Sequence, residues 1–458
     1  MKLRSMLTHF CVLALACLLA SPLTGAEPKR GPQKKLDPRV PAFFAAKERH
    51  ARALTKDGKA KVSPDVWAYF DAGTKGDWAE VKRLWRDLSR RSGQYDGGTL
   101  DDSVRTLAWP PLLEAQLAYE GFSQLEVKFI DAFSRDVIDS IPRGSVYFGG
   151  TDYGRGLITA LCKSHADADP FYTITQNALA DGSYLAYLRA TYGKRLTMPT
   201  DEDSKKSFDA YVAEAGARLE KGELKTGEKV TKDENGKYQV SGQVAVMAIN
   251  AMIAKTIFDA NPKEEFYIEE SFPLEWMYPH LSPNGPIMKI NRQPLTEMTA
   301  AMVRADQEFW RKQMARWIGD WLKEGTPLKT ICEFAERTYW EVDLEEFKGD
   351  RDFAMADRRY SPQSIYSRLR TAQATVYERR AKSAATAEER ERMVKAADFA
   401  YRQAFALCPW AHEAVFRYEE FLKTQNRTAE ALVLVESATK TNPGDKRLRQ
   451  RANDAREK

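Results

Sequence analysis

The stretch most able to do chemistry is Gly149-Gly150-Thr151-Asp152-Tyr153-Gly154-Arg155-Gly156. It follows a short apolar run, Ser145-Val146-Tyr147-Phe148, and precedes a helical pattern over Leu157–Ser164. At such a strand-to-helix junction, backbone N–H groups and the helix dipole favour an anion. Gly149 and Gly154 have the spacing of a nucleotide-phosphate loop, but Arg155 and Gly156 stand where lysine and a hydroxyl residue belong. The dinucleotide spacing is also missed, and without the magnesium-binding hydroxyl nucleotide hydrolysis is hard to support. Arg155 could still hold a phosphate or carboxylate. The competing reading is a tight turn whose Asp152 caps the helix.

A second strand, Phe171–Thr175, ends at Gln176-Asn177. In a parallel sheet, ligands sit beyond the carboxyl ends of the strands, so Gly149, Gly150, Thr151, Asp152, Gly154, Arg155, Gln176 and Asn177 form one candidate ligand site. Two weaker candidates are Asp167-Ala168-Asp169, a D-x-D tripeptide, and Glu269-Glu270, a carboxylate pair at a strand end. No Ser/His/Asp or Cys/His set assembles. The histidines beyond the first 26 residues, His50, His165, His280 and His412, lack metal spacing, so neither metal nor cofactor is expected.

The elements around these residues read as a mixed α/β fold, mostly helical. Strand, loop, helix, strand, helix from 145 to 192 is a βαβ signature. Asn235-Gly236 between two β-rich runs predicts a hairpin with a type I′ turn. Val244–Phe258 reads as an apolar helix, and Glu265–Glu269 and Ile287–Ile290 as strands, with a short aromatic turn over Pro273–Leu281 between them. Upstream, Ser63-Pro64 starts a helical hairpin with Gly76-Asp77 at its turn, and one further helix covers about Leu112–Ser140.

The C-terminal region carries a repeat. Ala397, Tyr401, Ala404 and Pro409 recur as Ala431, Val435, Ala438 and Pro443, each pair 34 residues apart, the tetratricopeptide period. Small residues let paired helices approach, and the prolines stop the second helix of each unit. A polar stretch at Ala385–Arg392 separates the helices of the first unit. Such repeats commonly bind another chain.

The N-terminus reads as an export signal: basic Lys2 and Arg4, an apolar stretch from Phe10 to Ala20, and small residues Thr24 and Ala26 before Glu27. Cleavage after Ala26 is expected; lipidation at Cys17 is the alternative. The stretch is too short to span a bilayer, and nothing later is expected to do so. Removing residues 1–26 leaves 68 basic against 65 acidic residues, a net of +3, too weak to argue for nucleic acid or an anionic membrane. Cys162, Cys332 and Cys408 then remain, odd in number, far apart and set among apolar residues. The expected organisation is a signal peptide over 1–26, a flexible basic leader over 27–62, and a helical region over 63–142. An α/β domain over 143–293, a helical connector over 294–360 and tetratricopeptide-like repeats over 361–458 complete it.

Three phrases, Val146–Asp152, Ile174–Asp181 and Phe266–Ser271, resemble the soluble C-terminal region of a family of bacterial multi-pass membrane proteins related to protein O-mannosyltransferases of the GT-C type. The resemblance covers about residues 143–443. It is also similar to free-standing secreted proteins of Verrucomicrobia type. In the membrane family a catalytic membrane half precedes an extracytoplasmic α/β and tetratricopeptide half. The sequence shows no counterpart of that membrane half, so no transferase residue is expected to carry over. The resemblance implies a free-standing accessory domain that recognises a polypeptide or glycan acceptor, or docks on a membrane-embedded envelope partner.

Overall fold

The computed structural model describes residues 36–456, apart from 59, 96–97, 150–151, 163–169, 270–273 and 359–360; for 152–155 it describes the backbone alone. The protein is mostly helical around a mixed sheet. Among the described residues the sheet has five strands: β1 (Val146–Gly149), β2 (Tyr172–Thr175), β5 (Phe266–Glu269), β6 (Leu281–Asn284) and β7 (Ile287–Ile290). Their order is β2-β1-β5-β7-β6, and a separate hairpin joins β3 (Lys229–Lys232) to β4 (Tyr238–Ser241). Contact density divides the chain in two: the described residues up to Ile130 with Pro142–Phe266, and Asp131–Ile141 with Tyr267–Lys458.

The first unit starts with α1 (Arg39–Leu54), α2 (Pro64–Lys75), α3 (Trp78–Arg91), α4 (Trp109–Gln124) and the beginning of α5 (Val127–Ile138). Helix α1 corrects the expectation of a flexible leader. Val40, Phe44, Lys47 and Ala51 form its buried stripe, and Pro41 falls in the first turn, where its missing N–H costs nothing. Gly73 of α2 faces the Phe44 ring so closely that a Cβ would lie 1.8 Å from it. The α2–α3 turn follows its sequence: Gly76 takes φ +75°, and the Asp77 carboxylate accepts from the Glu80 N–H. The single helix expected over 112–140 is two, because Leu125 is extended between α4 and α5.

Strands β1 and β2 run parallel, Val146 opposite Tyr172 and Gly149 opposite Thr175. Between them α6 (Asp152–Cys162) starts five residues earlier than its apolar pattern suggested. Gly156 allows this: a Cβ there would sit 2.8 Å from Leu117 Cβ on α4. After β2 come α7 (Gly182–Tyr192), α8 (Asp201–Lys221), the β3–β4 hairpin and α9 (Gln243–Ala260). The hairpin is closed differently from the expected type I′ turn. Gly236 has φ +76° but Asn235 does not share the left-handed region, and the Asp233 carboxylate accepts from the Asn235 and Lys237 N–H groups. Helix α9 is long and apolar enough to cross a membrane, contrary to the expectation that no later segment would be. Its Ile249, Asn250, Ile253, Ile257 and Phe258 are buried, and Phe258 meets Phe266 edge-on.

The second unit contains the β6–β7 antiparallel pair, α10 (Ala300–Trp317), α11 (Leu328–Ala335), a π-helical turn (Glu336–Trp340) and α12 (Arg351–Met355). Strand β6 escaped the sequence reading because Pro283 sits in it; as an edge strand it tolerates the missing N–H. Helices α13 (Pro362–Ser383), α14 (Ala387–Leu407), α15 (His412–Thr424), α16 (Thr428–Thr441) and α17 (Lys446–Arg456) complete the unit. The polar stretch expected to separate α13 from α14 is mostly the first turn of α14, capped by the Thr386 hydroxyl accepting from Glu389 N–H.

Candidate functional site

At the carboxyl ends of β1 and β2, Gly149 is buried opposite Thr175. Residues 150 and 151 alone lie between β1 and α6, and Gly154 and Arg155 fall in the first turns of that helix. Residues 152–156 of the glycine-rich stretch read from the sequence are thus helical. Gly150 and Thr151 lie outside the described residues, as do the side chains of Asp152 and Arg155.

Gln176 stands where β2 ends, in a 3₁₀ turn over Gln176–Ala178. It is wholly buried, and neither its Oε1 nor its Nε2 has a hydrogen-bond partner. The residues beside it are well bonded. Thr175 N–H donates to Tyr184 Oη at 2.8 Å, and Asn250 Nδ2 donates to the Asn177 carbonyl at 3.1 Å. Asn250 Oδ1 accepts from the Ala180 N–H at 2.6 Å. Asp181 caps α7 and takes the Arg105 guanidinium at 2.6 Å and the Gln94 amide at 3.0 Å. An orphaned buried amide carries a desolvation penalty of roughly 1–3 kcal/mol.

The weaker candidates separate. Asp167 and Asp169 lie outside the described residues, as does Glu270. Glu269 is buried and accepts from Arg368 at 3.1 Å, so it serves as half of an ion pair. Among the described residues no three histidine, cysteine or acidic side chains gather to hold a metal. Cys162, Cys332 and Cys408 are buried; burial pushes the Cys332 thiol up to about 12 and that of Cys408 higher still. A thiol so raised is a poor nucleophile.

The repeat residues behave as one set. Ala397, Tyr401, Ala404, Ala431, Val435 and Ala438 are all wholly buried. Helices α14 and α16 end 34 residues apart, at Leu407 and Thr441. Their caps match: Cys408 N–H donates to the Ala404 carbonyl and Asn442 N–H to that of Ala438, with Pro409 and Pro443 following. The units differ where Tyr401 replaces the aliphatic, stacking on Tyr418 at 5.5 Å and donating to Glu378. The first helix of the first unit is enclosed: Gln373 of α13 donates to the Gly285 and Ile287 carbonyls of the β6–β7 pair, and Arg380 to those of Pro279 and Leu295.

The sequence reading passed over the loops around α11. There a groove opens between residues 318–321 and 346–348, walled by Trp321, Phe334 and Phe347. The aromatic residues at 317, 321, 334 and 347 and the glycines at 319 and 349 are its only sequence trace.

The chain matches no protein-family model, no curated protein and no solved structure.

Proposed function

We propose that this chain is an exported, non-catalytic binding or scaffold protein whose tetratricopeptide-like α13–α16 repeats, continued by α17, present a face to another protein. The reading extends to service in cell-envelope glycan or glycoprotein assembly, beside a membrane-embedded partner, as the resemblance implies. The observation that carries it is the 34-residue register, which reappears in burial, in helix ends and in cap hydrogen bonds. Paired helices in such register stack side by side and leave a continuous face for a partner. The engaged state of Glu269 and Asp181 favours binding over catalysis.

The test is site-specific photocrosslinking in the producing cell, with the crosslinker at Phe416 on α15 and, as a control, at Lys56 beside α1. A discrete adduct from position 416 alone supports the reading. Equal adducts from both positions, or none, overturn it. Sequencing of the secreted chain's N-terminus tests export; Glu27 is the expected first residue.

Gln176 favours a second reading, a small-anion or sugar-phosphate site at the ends of β1 and β2. A thermal-shift screen against sugar phosphates and nucleotide sugars tests it, with Arg155→Ala and Gln176→Leu in parallel. A ligand at 100 times its dissociation constant stabilises by about 2.7 kcal/mol. A shift lost in both variants establishes this reading; no shift removes it.

A further inference from the structure

We infer that the groove beside α11 is a saccharide-binding site, independent of the repeat face. Its volume is about 820 Å³, within the roughly 300–1,000 Å³ of ligand pockets. Phe334 is its floor, with Trp321 at 4.4 Å and Phe347 at 6.2 Å between ring centroids. Trp321 and Phe347 are half-buried, so each offers part of its ring to solvent. The indole N–H of Trp321 is spent on the Ile318 carbonyl at 3.1 Å, which fixes the ring and leaves its apolar surface as the contact.

The walls are built to hold their shape. Gly349 lies so near the α10 end that a Cβ would sit 2.3 Å from the Trp317 carbonyl oxygen, and Asp350 N–H bonds that same oxygen at 3.1 Å. Gly319, at φ +89°, lets the opposite wall turn toward Lys348. On the rim, the chain leaves α11 through the π-helical turn, where Glu341 N–H bonds the Glu336 carbonyl. It then places Val342 at φ +58°. A β-branched residue in that region is strained, and π turns and strained residues concentrate at functional sites. Asp343 N–H closes the strained segment onto the Arg337 carbonyl at 3.0 Å, which positions the Arg337 side chain at the groove.

The rim chemistry selects the ligand class. Three carboxylates (Asp320, Glu333, Glu346) and two cations (Arg337, Lys348) line the groove with the aromatic rings, Asp320 also accepting from Lys323 at 2.7 Å. Arg337 and Glu346 stand 3.5 Å apart, Arg337 about half exposed and Glu346 largely so. A free cation meets Arg337 and Lys348; an anion meets the carboxylates. A neutral polyhydroxylated ring suits both, since each hydroxyl donates to a carboxylate and accepts from a guanidinium or ammonium. Its C–H face covers the rings, removing apolar area from water.

The full chain is titrated with chitotetraose, cellotetraose and maltotetraose, followed by calorimetry and tryptophan fluorescence. Saturable binding of at least one is expected. Trp321→Ala should weaken it by about tenfold or more and Trp321→Phe by about threefold or less. Glu346→Gln, on the exposed rim and harmless to folding, should weaken it by about fivefold. It keeps the test decisive should Trp321→Ala fail to fold. No binding up to about 10 mM, or binding indifferent to both positions, overturns the proposal. So does a tryptophan-bearing peptide that binds there while the sugars do not.

Discussion

Among the described residues each unit holds a deeply buried ion pair, Lys47–Glu114 in the first and Arg370–Asp306 in the second, and the two are saturated differently. In the first unit Lys47 on α1 meets Glu114 on α4 at 2.6 Å, and Tyr187 Oη donates to the same carboxylate. In the second, Arg370 on α13 meets both oxygens of Asp306 on α10, at 2.8 and 3.0 Å. The guanidinium also donates to Gln403 and Gln373, lies over Trp310, and shares Asp306 with Tyr377. An ammonium is a point charge that joins two helices. A guanidinium is a planar fork, and here it ties α10, α13 and α14 into one network. The first unit has a further burden in His50, whose pKa burial lowers to about 4, with nearby Lys47 adding to the effect.

The largest expected effect breaks the fork. Arg370→Met leaves Asp306 buried and unpaired and should cost about 3–5 kcal/mol, whereas the double variant Arg370→Met/Asp306→Leu should recover most of that. Urea unfolding of the full chain reads both; equal losses would mean the network matters beyond its charges.

The next effect belongs to the first unit. The unfolded His50 takes a proton near 6.5, and the folded one only near 4. Between those values the unfolded state binds more protons, so stability is present above pH 6.5 and lost as pH falls toward 4. The full loss is about 3 kcal/mol. His50→Gln should flatten that part of the profile, measured as the difference in midpoint between wild type and variant across pH 4–7.

Gly156→Ala probes the α4–α6 contact and should cost about 1–3 kcal/mol, because the new methyl meets Leu117 backbone as well as its side chain. Calorimetry should show a midpoint lowered accordingly. The smallest effect has the opposite sign. Gln176→Leu removes two buried polar atoms that lack partners and should stabilise the ligand-free protein by about 1–2 kcal/mol. A destabilised variant would show that the amide is satisfied in solution, and would undo the case for a ligand at the strand ends.

Much of the local structure was legible. The βαβ order, the strands at 146–149, 172–175, 266–269 and 287–290, and the Gly76-Asp77 turn each follow from short-range pattern. The misses share one cause. Helix α1 and the early start of α6 exist because Phe44 faces Gly73 and Gly156 faces Leu117, and neither partner is near in sequence. The candidate site divides likewise. Its residue types and the end of β2 were readable, but the start of α6 at Asp152, within the glycine-rich stretch, was not.

The sequence by itself determined the 34-residue register, since small residues and prolines at fixed spacing dictate where two helices touch and stop. It also determined the strand-ending position of Gln176. Only the tertiary structure decided that the Gln176 amide is sealed away without a partner and that Glu269 is occupied by Arg368. The same holds for the groove that Trp321, Phe334 and Phe347 wall together. Burial and pairing are set by residues tens to a hundred positions away, and no local pattern encodes that distance.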